Sequence, residues 1–239
     1  MKKWVFATDY HGDRSDPAVE VEFFKFLKSF KPDLRIFGGD LVDLRPLRKG
    51  ASTEEKNEGL RSDVEAGFKF LKKYRPDVFT LGNHDDRLRE TGEGGGPLAE
   101  YAAMGYNDLL DRCKAQNTQV IPYAKRHYYQ LGTHKVIHGF ASGVYAARKH
   151  SQHYGPCIFG HIHAFTQAPC ESVGIGSPVT WSSGCMCRVD MGYNARHLGT
   201  IRQEAGWLYG IITKSGKVEI FSCRSDTDYY NPYEKNTKK

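Results

Sequence analysis

Long apolar runs are missing from this 239-residue chain. Stretches such as Val78 to Gly82 are among its longest, and a membrane-spanning helix needs roughly 18 apolar residues or more. An export signal is missing too, because Asp9 and His11 interrupt the apolar start at Trp4 to Thr8 far too early. The expectation is a cytoplasmic protein with no membrane partner. Cysteine pairs of the CxxC kind are absent: Cys113, Cys157, Cys170, Cys185, Cys187 and Cys223 are scattered along a chain long enough to need no disulfides. They read as reduced, mostly buried thiols. Neither sign of charge dominates, since 34 Lys and Arg against 28 Asp and Glu leave +6. That balance suits acidic ligands but falls short of a nucleic-acid stripe. No repeat of solenoid period is present.

What remains is ordinary for a folded chain, with 39% hydrophobic and 26% charged residues. At about 150 residues per domain, the expectation is a single domain over residues 1–228 and a polar C-terminal tail over 229–239. The first half repeats one pattern. Trp4 to Thr8 reads as a strand, and Asp16-Pro17 as an N-cap with proline in the first helical turn. Phe23, Phe26, Leu27 and Phe30 then give one apolar helix face, stopped at Lys31-Pro32. Leu34 to Phe37 is a second strand, Arg45 to Glu58 a polar loop, and Val64, Phe68 and Leu71 a second helix face ending near Arg75-Pro76. Val78 to Leu81 is a third strand. Three such units predict a parallel sheet with right-handed crossovers, which binds ligands beyond its strand carboxyl ends. After a glycine-rich mobile-loop candidate (Thr91 to Gly96) and a helix (Leu98 to Cys113), short strands alternate with turns, interrupted by one helix from Val144 to His153. The last two strands, Trp207 to Thr213 and Val218 to Phe221, read as a hairpin. Residues after His163 are expected to complete a second sheet.

Ten histidines are the more telling count. Several fall in dense clusters at strand ends: Asp9-Tyr10-His11, Gly39-Asp40-Leu41-Val42-Asp43, Gly82-Asn83-His84-Asp85, His138-Gly139 and Gly160-His161-Ile162-His163. Alternate strand residues share a face, so Asp9 can act with His11, and His161 with His163, on ions at one edge. A set of Asp, Asn and His without cysteine favours manganese, iron or zinc over a thiolate site or an all-oxygen calcium site. His134 competes with His138 for the isolated position.

Together the blocks resemble the calcineurin-like metallophosphoesterase superfamily, whose pattern is DxH, GDxxD, GNH(D/E), an isolated H and GHxH. Every block is present in order from Asp9 to His163. The resemblance implies an α/β fold, a four-layer α/β/β/α sandwich with a dinuclear metal site at the strand C-terminal ends. It implies Asp9, His11 and His163 on a first metal, Asp40 bridging, and Asn83, His138 and His161 on a second. The metals are two divalent transition-metal ions, manganese ahead of iron or zinc, holding a bridging hydroxide as nucleophile. It leaves His84 to assist the leaving group, with Asp85 orienting its imidazole and keeping it cationic. Asp43 is expected behind a ligand histidine or a water. Arg87, with Arg45 or Arg48 behind it, is expected to neutralise substrate charge.

His127, His150, His153 and His197 read as surface or loop residues, Cys185 and Cys187 as packing, and Tyr229, Tyr230 and Tyr233 as a group pinning the C-terminal segment. Asp40-Leu41-Val42-Asp43-Leu44-Arg45 departs from the GDxVDRG of the family's serine/threonine phosphatases, and Gly82-Asn83-His84-Asp85 from their GNHE. The chain is more similar to compact phage and bacterial members near the DNA-repair exonuclease branch, in a bacterial or phage-infected cell. The expected function is a phosphodiesterase acting on nucleotide or nucleic-acid phosphodiesters, DNA or RNA included. A phosphomonoesterase or cyclic-nucleotide phosphodiesterase is the alternative among enzymes. A catalytically silent, metal-stabilised nucleic-acid or partner-binding module is the alternative of another class.

Overall fold

Alternation along the first strand, β1 (Lys2–Ala7), sets the layers: Val5 and Ala7 join one apolar cluster, Trp4 and Phe6 another. The computed structural model describes residues 1–48, 50–170, 178–189 and 202–225. His197, the Tyr229, Tyr230 and Tyr233 group, the tail 229–239 and its boundary lie outside the described residues.

The first helix, α1 (Pro17–Phe30), starts where Asp16 accepts the Ala18 and Val19 amides and ends at Lys31, whose φ is 52°. Its Phe23, Phe26 and Phe30 pack on the Val5 face. The next strand is β2 (Leu34–Phe37). The stretch read as a loop holds a 3-10 turn, Arg45–Leu47, and a short helix, α2 (Thr53–Lys56). A reciprocal Ser52–Glu55 capping box supports that helix where no apolar stripe does. Helix α3 (Arg61–Tyr74) and strand β3 (Val78–Thr80) follow the expected pattern. Helix α4 (Asn83–Gly92) begins directly at a polar cluster and takes in the start of the glycine-rich segment, and α5 (Pro97–Ala115) leads to β4 (Gln119–Ile121).

Strands β1 to β4 are parallel neighbours. The second sheet holds β5 (Tyr129–Leu131), β6 (His134–Val136), β7 (Cys157–Phe159), β8 (Gln167–Pro169) and β9 (Val179–Ser182) in the order β5-β6-β7-β9-β8. Its central strands β6, β7 and β9 run parallel. Helix α6 (Ala146–Tyr154) covers its outer face through Ala146 and Ala147. The final hairpin, β10 (Gly206–Ile212) and β11 (Val218–Arg224), does not complete this second sheet as expected. It pairs antiparallel with β1 and extends the first sheet to six strands. Pairing there satisfies the free edge of β1 and buries Trp207 and Tyr209 among the α1 phenylalanines.

The layers are therefore helices, sheet, sheet and helix. Trp4, Phe6, Leu34, Ile36 and Val78 meet Leu131, Val136 and Ile158 between the sheets. The six cysteines are free and buried. Among the described residues no helix is long and apolar enough to cross a membrane.

Candidate metal centre

The polar clusters follow β1, β2, β3, β6 and β7 directly, so parallel strands of both sheets deliver them to one edge. The loops are tied together: the Asp9 amide donates to Gly39 O at 2.9 Å, His11 N to Asp40 O at 3.0 Å, and Gly160 N to His138 O at 2.8 Å. Asp9 and His11 do not share a strand face as expected. They lie in the turn beyond β1, and five of the seven candidate ligands (Asp9, His11, Asp40, His161 and His163) have φ between 53° and 68°. Residues with side chains rarely hold that left-handed conformation, and such outliers concentrate at functional sites. Gly82 is required for close approach, because a Cβ there would strike the Asp40 carboxylate and amide.

Two groups of donor atoms meet at Asp40. In the first, His163 Nε2 lies 3.1 Å from His11 Nε2 and 3.2 Å from Asp9 Oδ1. In the second, His138 Nε2 lies 3.2 Å from Asp40 Oδ2 and 3.1 Å from Asn83 Oδ1, and His161 Nδ1 is 2.9 Å from that same Asn83 oxygen. The back of two rings assigns their tautomers. His11 Nδ1 faces Asp43 Oδ1 at 3.1 Å and His138 Nδ1 faces Gly38 O at 2.7 Å, so both hold a proton there and turn an Nε2 lone pair inward. Lone pairs, carboxylates and an amide oxygen thus converge with few protons between them, the arrangement a divalent cation satisfies, and histidine ligands ordinarily carry such partners behind them. Burial disfavours charge on His11, yet Asp43, Asp40 and Asp9 lift it to about 9, so a divalent cation gains the Nε2 lone pair by displacing a proton. Burial also opposes charging His138, and Asp40 and Asp9 lift it likewise to about 9. Burial and the His138 charge push His161 down to about 3.

His134 does not compete: it sits in β6 with Nε2 3.1 Å from Val179 O, away from the cluster. Cys187, read as packing, lies at the centre's edge with Sγ 3.7 Å from His163 Nδ1. Only tertiary pairing brings it there, through Met186 N to Thr8 O and Asp16 N to Met186 O.

His84 stands beside both groups, 14% exposed, with Nε2 3.7 Å from Asp40 Oδ2. Its Nδ1 faces Asp43 O at 2.7 Å and Asp43 Oδ1 at 3.0 Å. Asp43, not Asp85, therefore orients the ring. Burial pulls His84 below its ordinary pKa, with the His11 and Arg87 charges adding to that pull against Asp40 and Asp43, so the expected cationic state is not favoured. Asp85 is fully buried on the other side, accepting the amides of Asp40 and Leu41 at 2.8 Å and Gly82 at 2.9 Å. It clamps the loop carrying Asp40. Asp63, in the first turn of α3 and outside every sequence motif, does the same for Asp43 and Leu44.

Arg87 donates to Asp43 O at 2.8 Å and lies 3.1 Å from His84 Nδ1, at the site. Arg45 does not serve as an open substrate ligand, because Asp43, Asp13 and Glu58 surround its buried guanidinium at 2.9, 3.0 and 2.6 Å. Arg48 bonds Glu55 at 2.7 Å. His150 is no surface residue: it is buried, its Nε2 accepting the Phe140 amide at 2.9 Å while its Nδ1 donates to Ala146 O at 2.7 Å.

Residues 3–165 match the family model of the calcineurin-like phosphoesterases. The chain belongs to that family. Calcineurin-like phosphoesterases are phosphoric ester hydrolases with a dinuclear divalent metal site, and the Asp/His clusters here can hold such ions. A metallophosphoesterase from Sphaerobacter thermophilus is similar in fold, with a TM-score of 0.50 at 13% identity over 92% of this chain and 87% of that one. An archaeal phosphodiesterase gives a TM-score of 0.45 at 13% identity, over 92% of this chain and 99% of that one. No curated protein matches by sequence.

Proposed function

We propose that this calcineurin-like phosphoesterase hydrolyses phosphodiesters of nucleotides or nucleic acids. The observation that carries the reading is the pair of lone-pair clusters sharing Asp40, with His84 Nε2 3.7 Å from Asp40 Oδ2. In this reading Asp9, His11 and His163 hold one ion, Asn83, His138 and His161 the other, and Asp40 both. Manganese is the first candidate, ahead of iron or zinc, because the donors are oxygen and imidazole. Bound divalent cations supply Lewis acidity, acidifying water and drawing charge from phosphoryl oxygens.

The chain's own groups do the rest. His84 holds one proton at Nδ1 against Asp43 O and releases a second from Nε2 to the leaving oxygen. Because burial and Arg87 disfavour that second proton, the negative phosphate itself must help bring it, which couples proton availability to substrate binding. Arg87, fixed on Asp43 O, adds positive charge beside the ring. Asp43 joins the two tasks, since one carboxylate oxygen faces both His11 and His84. The chain's net charge of +6 suits an anionic phosphoester, and the departures from the serine/threonine phosphatase pattern at Leu44-Arg45 and Asp85 turn the reading away from phosphoproteins.

The test is a substrate panel with Mn²⁺: bis-p-nitrophenyl phosphate, p-nitrophenyl phosphate, cyclic nucleotides, and labelled DNA and RNA. Turnover of diesters is expected. Turnover of monoesters alone overturns the diester reading.

A further inference from the structure

A second feature adjoins the centre at His138, and its lining does not include His84. Helix α4 presents His84 and Arg87 toward Asp43, whereas Asp86, Arg89 and Glu90, a turn apart on another face, border a cleft of about 940 Å³. The cleft reaches His138 and Gly139. Its volume falls within the roughly 300–1,000 Å³ of sites for small organic ligands.

Its lining has two chemistries. Tyr128 is 39% and Phe140 45% exposed, large aromatic surface left open in a concave wall, and Tyr123 stands edge-on to His138 with ring centroids 5.9 Å apart. Phe140 is held in place from behind, its amide bonded to His150 and its ring 4.5 Å from the His150 ring, which stacks on Phe159 at 4.0 Å. Lys125, Arg126 and Lys135 supply positive charge, and Lys135 Nζ lies 5.0 Å from the Tyr128 ring centre. On the acidic side Asp86 is matched by two bonds from Arg89, at 2.7 and 2.8 Å, which leaves Glu90 against the three cations. Flat apolar surface beside an anion-seeking wall is the combination that recognises an unpaired nucleobase and its phosphate.

We infer that this cleft binds the nucleoside arm of the substrate that keeps the phosphate, with its base unpaired and stacked on Tyr128 or Phe140. The inference rests on the phosphodiesterase reading. The leaving oxygen belongs beside His84, so the arm directed past His138 is the one retained. Hydrolysis consumes one water: its oxygen bonds to phosphorus, the P–O bond to the leaving arm breaks, and the leaving oxygen takes a proton. A nucleoside monophosphate is left in the cleft. A base engaged in a duplex cannot offer its face to an aromatic side chain, so single strands or free nucleotides are the substrates.

Two esters sharing one leaving group test this, thymidine 5′-(p-nitrophenyl phosphate) and methyl p-nitrophenyl phosphate. The ratio of their kcat/KM values, measured on one sample, is independent of the folded or metal-loaded fraction. The native protein is expected to prefer the nucleoside ester. The double variant Tyr128→Ala/Phe140→Ala, and separately Lys125→Ala/Arg126→Ala, is expected to lower the ratio about tenfold or more, through KM. A native protein without preference, or variants with the native ratio, overturn the inference while leaving the phosphodiesterase reading intact. Fluorescence anisotropy with labelled single-stranded, duplex and mononucleotide probes separates the sources. Binding weakened by the variants for the single strand alone identifies oligonucleotides, and for both single strand and mononucleotide identifies nucleotides in general. Duplex binding that is tighter than single-strand binding refutes the unpaired base. If neither ester is hydrolysed yet the variants weaken binding, the phosphodiesterase reading fails and the cleft assignment stands.

Discussion

His84 and Asp85 are chain neighbours with opposite surroundings, and their variants are expected to fail in different ways. His84 touches solvent, Asp43 and Arg87, so His84→Ala should lower kcat by about 10²–10⁴-fold while elemental analysis finds unchanged metal content. Asp85 is buried on four backbone amides, those of Asp40, Leu41 and Gly82 at 2.8 to 2.9 Å and that of Val42 at 3.4 Å. Burial, with the Asp40 charge, raises its pKa to about 7, and the amides it holds offset only part of that. Asp85→Asn places an NH₂ group among donors, so urea unfolding should show a loss of about 2–4 kcal/mol. His150 makes a pH prediction. Burial pulls it from 6.5 to about 4, so between those values the unfolded chain binds the proton that the folded chain refuses. Its contribution is whole above pH 6.5 and declines as pH falls toward 4. At pH 5 the native protein should have lost about 2 kcal/mol more, relative to pH 7.5, than His150→Gln. Equal losses in urea midpoints would contradict this.

At the level of elements, the helices with an apolar stripe were legible, as was α6, whereas the polar α2 and α4 were not. α1 and α3 announce themselves through phenylalanine and leucine spacing, because each buries a full stripe on a sheet. α4 has a single buried apolar side chain, Leu88, so its periodicity is carried by charged residues that face two different sites. β8 contains Pro169 and pairs with β9 only along one edge, which hides it from strand patterns. The tight turn from β3 into α4 also sets a prediction. Gly82→Ala would push the added methyl into Asp40, displacing the residue shared by both donor clusters. Activity should fall about 100-fold or more, with reduced metal content by elemental analysis.

For the whole molecule, the centre joins loops from both sheets, so whatever binds it also ties the layers together. Removal of divalent ions by a chelator should abolish hydrolysis and lower the melting temperature, and Mn²⁺ should restore both. Saturation at 100 times Kd corresponds to about 2.7 kcal/mol of added stability. Full activity in a sample shown by elemental analysis to be metal-free would defeat the metal assignment.

The sequence by itself determined the chemistry available and its address: Asp, Asn and His at the ends of β-type runs, in family order, on a chain with helices and strands alternating. Those features are local, set by side-chain type and by periodicities a few residues long. Tertiary structure decided what each group faces. It placed Asp43 rather than Asp85 against His84, buried Arg45 among three carboxylates, brought Cys187 to His163, sent the last hairpin to β1, and opened the cleft between α4 and residues 123–140. Each of these depends on pairing between residues far apart in the chain, where the gain comes from filling a shared space and satisfying buried polar groups. No short stretch of sequence contains that information.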